Sequence, residues 1–144
     1  ENKPQSSRWY PGAGIYRNVR LVKTAGARIA HWGTSVTTPN ITSKFAEVQI
    51  KTEIDAAVDA IGELKLVTEF YDQDGFLVEE VSTPGKADGD LNIVQRTKIR
   101  NPRLWSIESP HRYRAVSHLY INGELKDSHS TNFGTLNYRI FFRM

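Results

Sequence analysis

The chain has 144 residues, of which 39% are hydrophobic and 24% are charged, so its length fits one domain and its composition excludes a disordered chain. Its 19 basic and 16 acidic residues give a net charge of +3 and are scattered, which argues against nucleic-acid binding, and no apolar run approaches the roughly 20 residues that span a bilayer. The absence of cysteine excludes disulfides, thiolate catalysis and cysteine-ligated metals.

The first 18 residues are rich in aromatic residues, glycine and proline, which is unusual for the opening of an independent domain. We interpret them as the tail of a preceding domain. Their cluster of Arg8, Trp9 and Tyr10 combines aromatic faces with a guanidinium group, which suits stacking on a sugar ring and hydrogen bonding to its hydroxyls. The alternative is that Trp9 fills an interface between adjoining domains, because exposed apolar surface usually marks a contact.

Alternation of apolar and polar residues with a period of two dominates the middle of the chain, and this pattern predicts half-buried β-strands. In residues 45–54, Val48, Ile50 and Ile54 fall on one face. No long helix is predicted. The residues that alternate in the same way in later segments are Leu64, Leu66, Phe70, Leu91, Ile93, Ile99, Tyr113, Ala115, Ser117, Leu119 and Ile121.

Turn residues separate these predicted strands. Residues 72–75 (DQDG) and 122–123 (NG) are hairpin signals, because glycine and asparagine accept a positive φ. Residues 83–85 and 88–90 are predicted as other loops, and residues 56–61 as the loop of a further β-hairpin. Short strands at this spacing without helices between them favour an antiparallel sandwich or barrel.

Three motifs carry a family resemblance. Residues 7–19 (SRWYPGAGIYRNV) resemble the end of the sugar-binding domain in family 2 glycoside hydrolases, especially bacterial β-galactosidases. Residues 101–113 (NPRLWSIESPHRY) are similar to a motif of the immunoglobulin-like domain in those enzymes, and residues 131–134 (TNFG) to its closing motif. The residues that carry the matches are Gly14, Arg17, Asn101, Pro102, Leu104, Trp105, Pro110, Tyr113, Phe133 and Gly134.

The resemblance implies an all-β fold, an immunoglobulin-like antiparallel β-sandwich in residues 24–144 that ends at the junction to a catalytic barrel. Residues 1–23 would be the tail of a sugar-binding jelly-roll domain that leads into the first strand. The parent protein would be a retaining β-glycosidase of the bacterial cytoplasm or periplasm, with both catalytic carboxylates in the barrel. The chain itself would then hold no catalytic residue, cofactor or metal.

The partners that the resemblance implies are the adjoining sugar-binding and barrel domains, with carbohydrate as the substrate of the parent and no nucleic acid or membrane. Whether the parent forms a homo-oligomer stays open. The first hypothesis is therefore a non-catalytic module that orients these two domains. The second is a free-standing carbohydrate-binding or adhesive module that uses Arg8, Trp9 and Tyr10, and the third is an independent small hydrolase.

The carboxylates and histidines of the chain give little support to a catalytic or metal site within it. Glycosidases use two carboxyl groups about 5 to 9.5 Å apart, but the pairs Glu79–Glu80 and Glu53–Asp55 fit a solvated surface. No serine motif of a nucleophile is present. The four histidines lack metal-ligand spacing, and the hairpin at 122–123 predicts that His118 lies opposite Asp127 and His129 opposite Val116.

Three further sets of residues have a structural interpretation. Arg96, Lys98 and Arg100 alternate along one predicted strand, as a solvated outer face or as a basic stripe for an acidic partner. Trp105 and Tyr113 are expected in the core or at a corner, since a tyrosine near a strand start often bonds to backbone. The Asp72–Gly75 segment resembles a calcium loop, but Phe76 replaces an oxygen ligand, which favours a turn.

Overall fold

The computed structural model describes residues 14–15, 17–19, 21–24, 26–57 and 62–136. Among these residues there are seven strands and no helix, and therefore none that could cross a membrane. The strands are β1 (Ala27–Ile41), β2 (Phe45–Ala56), β3 (Gly62–Tyr71), β4 (Leu77–Ala87), β5 (Leu91–Arg100), β6 (Tyr113–Ile121) and β7 (Glu124–Phe133).

The strands form two sheets, one with the order β1-β2-β5 and the other with the order β4-β3-β6-β7. All the strand pairs are antiparallel. The predicted fold class, an immunoglobulin-like antiparallel β-sandwich, is therefore confirmed. The alternation that predicted β2, β3, β5 and β6 results from one face of each strand packing against the opposite sheet.

The core consists of two apolar clusters, one toward each end of the sandwich. One contains Ile29, Ile54, Leu66 and Leu119, and the other is centred on Phe70. Between them the two sheets bury a polar band, whose members are Thr52, Thr68, Gln95 and Ser117. The core therefore requires hydrogen bonds as well as apolar packing.

Gln95 on β5 is the centre of this polar band. Its side-chain amide nitrogen donates to the carbonyl oxygen of Leu66 (3.0 Å) and to the hydroxyl of Thr83 (3.2 Å). Its side-chain oxygen accepts a hydrogen bond from Thr68 (2.7 Å), whose hydroxyl lies 2.9 Å from that of Ser117. The band thus links β5 in one sheet to β3, β4 and β6 in the other.

The chain enters and leaves the sandwich at opposite ends. Ala27 begins β1 beside the end of β2, at the same end as the β4–β5 and β6–β7 turns. We call this the entry end. Seven strands reverse the direction six times, so Phe133 ends β7 at the other end, which we call the exit end. Strands of about ten residues separate the two ends by roughly 30 Å.

The turns at 72–75, 88–90 and 122–123 are confirmed. Gly75 has a φ of 87°, and the Asp72 backbone nitrogen donates to the Phe76 carbonyl oxygen at 2.9 Å. Asn122 and Gly123 have φ values of 51° and 80°, the pattern of a type I′ hairpin turn. The residues at 88–90 connect β4 to β5.

Two turn predictions are wrong. Residues 83–85 lie inside β4, where Pro84 pairs with Lys65; an edge strand tolerates proline because its outer side needs no hydrogen bond. Residues 56–61 are not the loop of a hairpin, because β2 and β3 belong to different sheets. This connection crosses from one sheet to the other.

Candidate functional site

Several connections meet at the exit end and bring most of the sequence motifs together. They are the β1–β2 turn at 42–44, the β3–β4 turn at 72–76, the β5–β6 loop at 101–112 and residues 134–136 after β7. The long β5–β6 loop has an internal bridge between Trp105 and Pro110. This end is the candidate site that the described residues build from the motifs.

Tyr113 fixes the long loop to the sheet. Its ring is buried, stacks on Phe133 with centroids 5.6 Å apart, and lies beside the apolar cluster around Phe70. Its hydroxyl accepts a hydrogen bond from the backbone nitrogen of Arg103 at 2.8 Å. The prediction that Tyr113 forms a corner by bonding to backbone is therefore confirmed.

Arg103 and Thr135 extend this attachment to the neighbouring segments. The Thr135 hydroxyl donates to the Arg103 carbonyl oxygen at 3.0 Å, and the Trp105 backbone nitrogen donates to the Thr135 carbonyl oxygen at 2.9 Å. The Arg103 guanidinium binds the Asp74 carboxylate at 2.7 Å. Sequence reasoning missed Thr135 and Asp74, because nothing in a local pattern shows which loops meet in space.

Gly134 and Asn101 occupy positions where backbone geometry restricts the residue type. A Cβ at position 134 would lie 3.3 Å from the Trp105 side chain, so glycine lets the chain cross the indole closely. Asn101 has a φ of 46°, a conformation that asparagine tolerates, and its nitrogen donates to the Lys44 carbonyl oxygen at 2.8 Å. Trp105 and Pro102 are half-buried.

The surface of the exit end is apolar in several places. Ile107 is 82% exposed and Phe76 is 69% exposed, and Leu104 and Leu136 are also exposed. Pro110 is exposed as well. Large apolar side chains that project from a well-bonded loop indicate a surface suited to contact with another protein surface.

The histidines of β6 and β7 do not have the cross-strand partners that the sequence predicts. His118 lies opposite Ser128 and not opposite Asp127, and Ser117 rather than Val116 lies opposite His129. The cause is a β-bulge: Tyr120 pairs with Leu125 but Leu119 pairs with Asp127, so one extra residue shifts the register.

His118 instead joins a row of polar side chains on the outer face of the four-stranded sheet. Its ring nitrogens lie 3.0 Å from the Ser128 hydroxyl and 3.4 Å from the Glu69 carboxylate. Glu69 also accepts a hydrogen bond from the Tyr71 hydroxyl at 2.6 Å, and this bond raises the pKa of Tyr71. Sequence reasoning could not place Ser128 beside His118, because the β-bulge in the β6–β7 ladder determines this pairing.

This row has the residue types of a nucleophile triad but not the surroundings. The Ser128 backbone nitrogen donates to the Asp127 carboxylate at 2.8 Å, so it is not free to stabilise an oxyanion. Asp127 also accepts a hydrogen bond from the Ile29 nitrogen at 2.8 Å, which joins the two sheets at their edge. We interpret the row as a structural network.

The outer face of the three-stranded sheet is a solvated charged surface. Arg96, Lys98 and Arg100 are exposed along β5, as predicted, and Arg96 donates to the Gln49 side chain at 2.9 Å. Such exposed pairs stabilise the fold by at most about 1 kcal/mol each. The ion pairs on this face are Arg28–Asp55 (3.0 Å), Lys51–Glu53 (2.7 Å) and Lys98–Glu47 (3.2 Å).

The predicted sugar-binding residues Arg8, Trp9 and Tyr10 lie outside the described residues. Gly14 and Arg17 are described, and both are exposed. Within the described part of the chain, no three histidine or acidic residues come together as a group that could hold a metal ion.

Comparisons with known proteins agree with this architecture. The sequence profile of Glycosyl hydrolases family 2 matches residues 27–135, which is most of the chain. The chain belongs to glycoside hydrolase family 2. In this family, beta-galactosidase BoGH2A from Bacteroides ovatus is 34% identical over 131 residues, and the match covers 90% of this chain and 15% of that protein.

Two further family 2 comparisons give the same picture. A beta-glucuronidase from Formosa agariphila is 29% identical over 143 residues, covering 90% of this chain and 14% of that protein. The crystal structure of a glycosyl hydrolase family 2 member from Bacteroides cellulosilyticus is 26% identical with a TM-score of 0.73, covering 77% of this chain and 16% of that one. The chain thus spans about 15% of the first of these relatives.

Proposed function

We propose that this sandwich is a non-catalytic module of a larger family 2 glycoside hydrolase, in which it spaces and orients the domain before it and the domain after it. The preceding domain would bind sugar and the following one would be the catalytic barrel. The module holds the two at a fixed separation, and the chemistry takes place outside it. It therefore needs no cofactor of its own.

The observation that carries this proposal is the distribution of exposed apolar side chains. At the exit end they are Phe76, Leu77, Leu104, Ile107 and Leu136. Near the entry of the chain into β1 they are Ile15, Val19, Leu21, Val22 and Trp32, with Leu125 beside the β6–β7 turn. The outer face of the three-stranded sheet between these ends instead carries three ion pairs, with Val94 as its one large exposed apolar residue among those described.

This distribution suits a module with a neighbour at each end. Exposed apolar patches mark contact surfaces, whereas charged faces remain in water. Because the chain enters at one end and leaves at the other, neighbours in sequence would adjoin the same two apolar ends. Domain interfaces of this kind bury apolar surface and thereby restrict the relative motion of the domains.

The test replaces apolar residues of the exit end in the full-length protein. Ile107→Ser, alone and together with Leu104→Ser, should lower the temperature at which hydrolysis of a chromogenic β-galactoside or β-glucuronide is lost by several degrees, since roughly 1.5–3 kcal/mol is associated with burying each such side chain. Ile107→Ser alone should leave the melting temperature of the 144-residue chain unchanged, because there the Ile107 side chain is 82% exposed to water.

Val94→Ser is the matched control, because Val94 is 43% exposed on the charged face of the three-stranded sheet. It should leave the full-length protein unaffected. Equal effects of Ile107→Ser in the full-length protein and in the 144-residue chain would contradict a docking role. Hydrolysis of a chromogenic glycoside by the purified 144-residue chain would contradict the proposal as a whole.

A further inference from the structure

Strand β1 is interrupted at residues 30–33, which we call the Trp32 bulge. Ile29 pairs with Ile54 and Thr34 pairs with Thr52, so four residues stand opposite Glu53 alone. Trp32 has a φ of 62°, and 88% of its surface is exposed. A left-handed backbone is unfavourable for a large aromatic residue, and an indole in water gains nothing from burial. The stability of the sandwich therefore does not account for Trp32.

The bulge is closely built and not a loose insertion. A Cβ at Gly33 would lie 2.8 Å from the Cβ of Ala30 and 3.0 Å from the Cβ of Glu53, so only glycine fits there. Just before the bulge, the Ile29 nitrogen is bonded to Asp127 of β7. The His31 ring meets the Trp32 ring edge-on, with centroids 5.3 Å apart. The indole is thus presented to solvent on a fixed support.

A projecting tryptophan on fixed backbone suits insertion into a pocket of a protein surface. Tryptophan is among the residues most enriched at the centres of interfaces, and a contact group that is already ordered loses little entropy on binding. A sugar site, by contrast, is usually concave and provides several converging polar groups. The projection of the bulge therefore favours a protein surface as the partner.

The position of the bulge indicates which surface this is. It begins three residues after the start of β1, near the entry end. The segment that leads into β1 carries further uncovered apolar residues, of which Val19 is 73% and Leu21 is 98% exposed. These residues and Trp32 belong to one stretch of the chain, so a surface that covers them lies on the side from which the chain enters.

We propose that the Trp32 side chain inserts into an apolar pocket of the domain that precedes this sandwich in the full-length glycoside hydrolase, and locks the two domains at a fixed angle. The inference rests on the proposed function, because it requires a neighbour at the entry end. The strained backbone of Trp32 and the glycine at position 33 are then features of an interface and not of the isolated sandwich.

The test uses Trp32→Gly, which removes the indole but accepts the positive φ. In the 144-residue chain this variant should keep or raise the melting temperature. In the full-length protein it should increase the rate of tryptic cleavage after Lys23 severalfold, because loss of the docked indole exposes the segment before β1. Val94→Ala, which changes an exposed apolar residue away from both ends, is the control and should leave this rate unchanged.

The outcomes separate this inference from the proposed function. Protection of Lys23 in the wild-type full-length protein that persists in Trp32→Gly would overturn the role of Trp32 alone. Equally fast cleavage in the wild-type full-length protein and in the 144-residue chain would overturn both. Dimerisation of the 144-residue chain that Trp32→Gly abolishes, or Trp32-dependent fluorescence quenching by galacto-oligosaccharides, would show a different partner and overturn the inference.

Discussion

A single hydroxyl group determines how the exit loop meets the sheet. Tyr113 buries its ring beside Phe133 while its oxygen accepts the backbone N–H of Arg103. The carbonyl group of the same Arg103 is bonded to Thr135, so both backbone groups of this residue are satisfied. The spacing of the motif thus has a physical reason at the residue scale: Asn101, Arg103 and Tyr113 each make a specific hydrogen bond of the loop.

Tyr113→Phe should lower the free energy of unfolding by about 1–2 kcal/mol, because it keeps the packing of the ring but leaves the Arg103 N–H without its acceptor. Urea unfolding of the 144-residue chain measures the change. Tyr120→Phe is the matched control, since Tyr120 is half-buried on the outer face of the same strand and its change should stay within about 0.5 kcal/mol. A Tyr113→Phe variant as stable as the control would show that the hydrogen bond between the Tyr113 hydroxyl and the Arg103 backbone does not stabilise the fold.

Single residues also set the limit of sequence reasoning about the site. Tyr113 could be predicted, because a tyrosine at a strand start has a common local role. His118 could not be placed correctly, because its partners depend on one extra residue in the β6–β7 ladder. Trp32 was missed as well: its exposure and positive φ arise from a bulge that has no turn sequence of its own.

The strands and turns of this molecule can be predicted from the sequence more reliably than the partners of its single side chains. The alternation in β2, β3, β5 and β6 reflects one buried face, so it can be read directly from residue type. The sheet to which each strand belongs is not a local property, which is why the sequence pattern predicts a hairpin loop at residues 56–61 although β2 and β3 lie in different sheets. Pro84 likewise indicated a loop, although β4 accommodates it at an edge.

The element that sequence patterns did not reveal is the polar band that divides the core. Gln95 has an inward-facing position in β5 and is only 2% exposed, yet its amide bonds to the opposite sheet. Such bonds fix the relative position of the two sheets, because an unpaired polar group in the core is costly. The band therefore contributes to a single packing arrangement of the sandwich.

Gln95→Leu should destabilise the 144-residue chain by about 2–4 kcal/mol, because it removes the acceptor of the Thr68 hydroxyl and the donor to the Leu66 carbonyl oxygen and the Thr83 hydroxyl. The midpoint of urea unfolding measures this loss. Gln49→Leu changes the same residue type on the solvated face of β2 and should shift stability by less than about 0.5 kcal/mol. A stabilised Gln95→Leu variant would show that the band is dispensable.

At the scale of the whole molecule, the sandwich has charged and polar sides and apolar ends. Membership of glycoside hydrolase family 2 and the match to only 15% of a relative's length agree with a module that forms part of a larger protein. The motif at residues 131–134 predicts from sequence alone that the chain leaves the sandwich near Phe133. Residues 1–23 predict a preceding domain at the entry end, but the exposed position of Trp32 there is visible only in the structure.

Hydroxyl-radical footprinting of side chains tests the central claim most directly, by comparing the full-length protein with the 144-residue chain. The account predicts that oxidation of Phe76, Ile107 and Trp32 slows severalfold in the full-length protein, since neighbouring domains cover both ends, while oxidation of Val94 stays the same. Equal oxidation rates of all four side chains in the two proteins would contradict it.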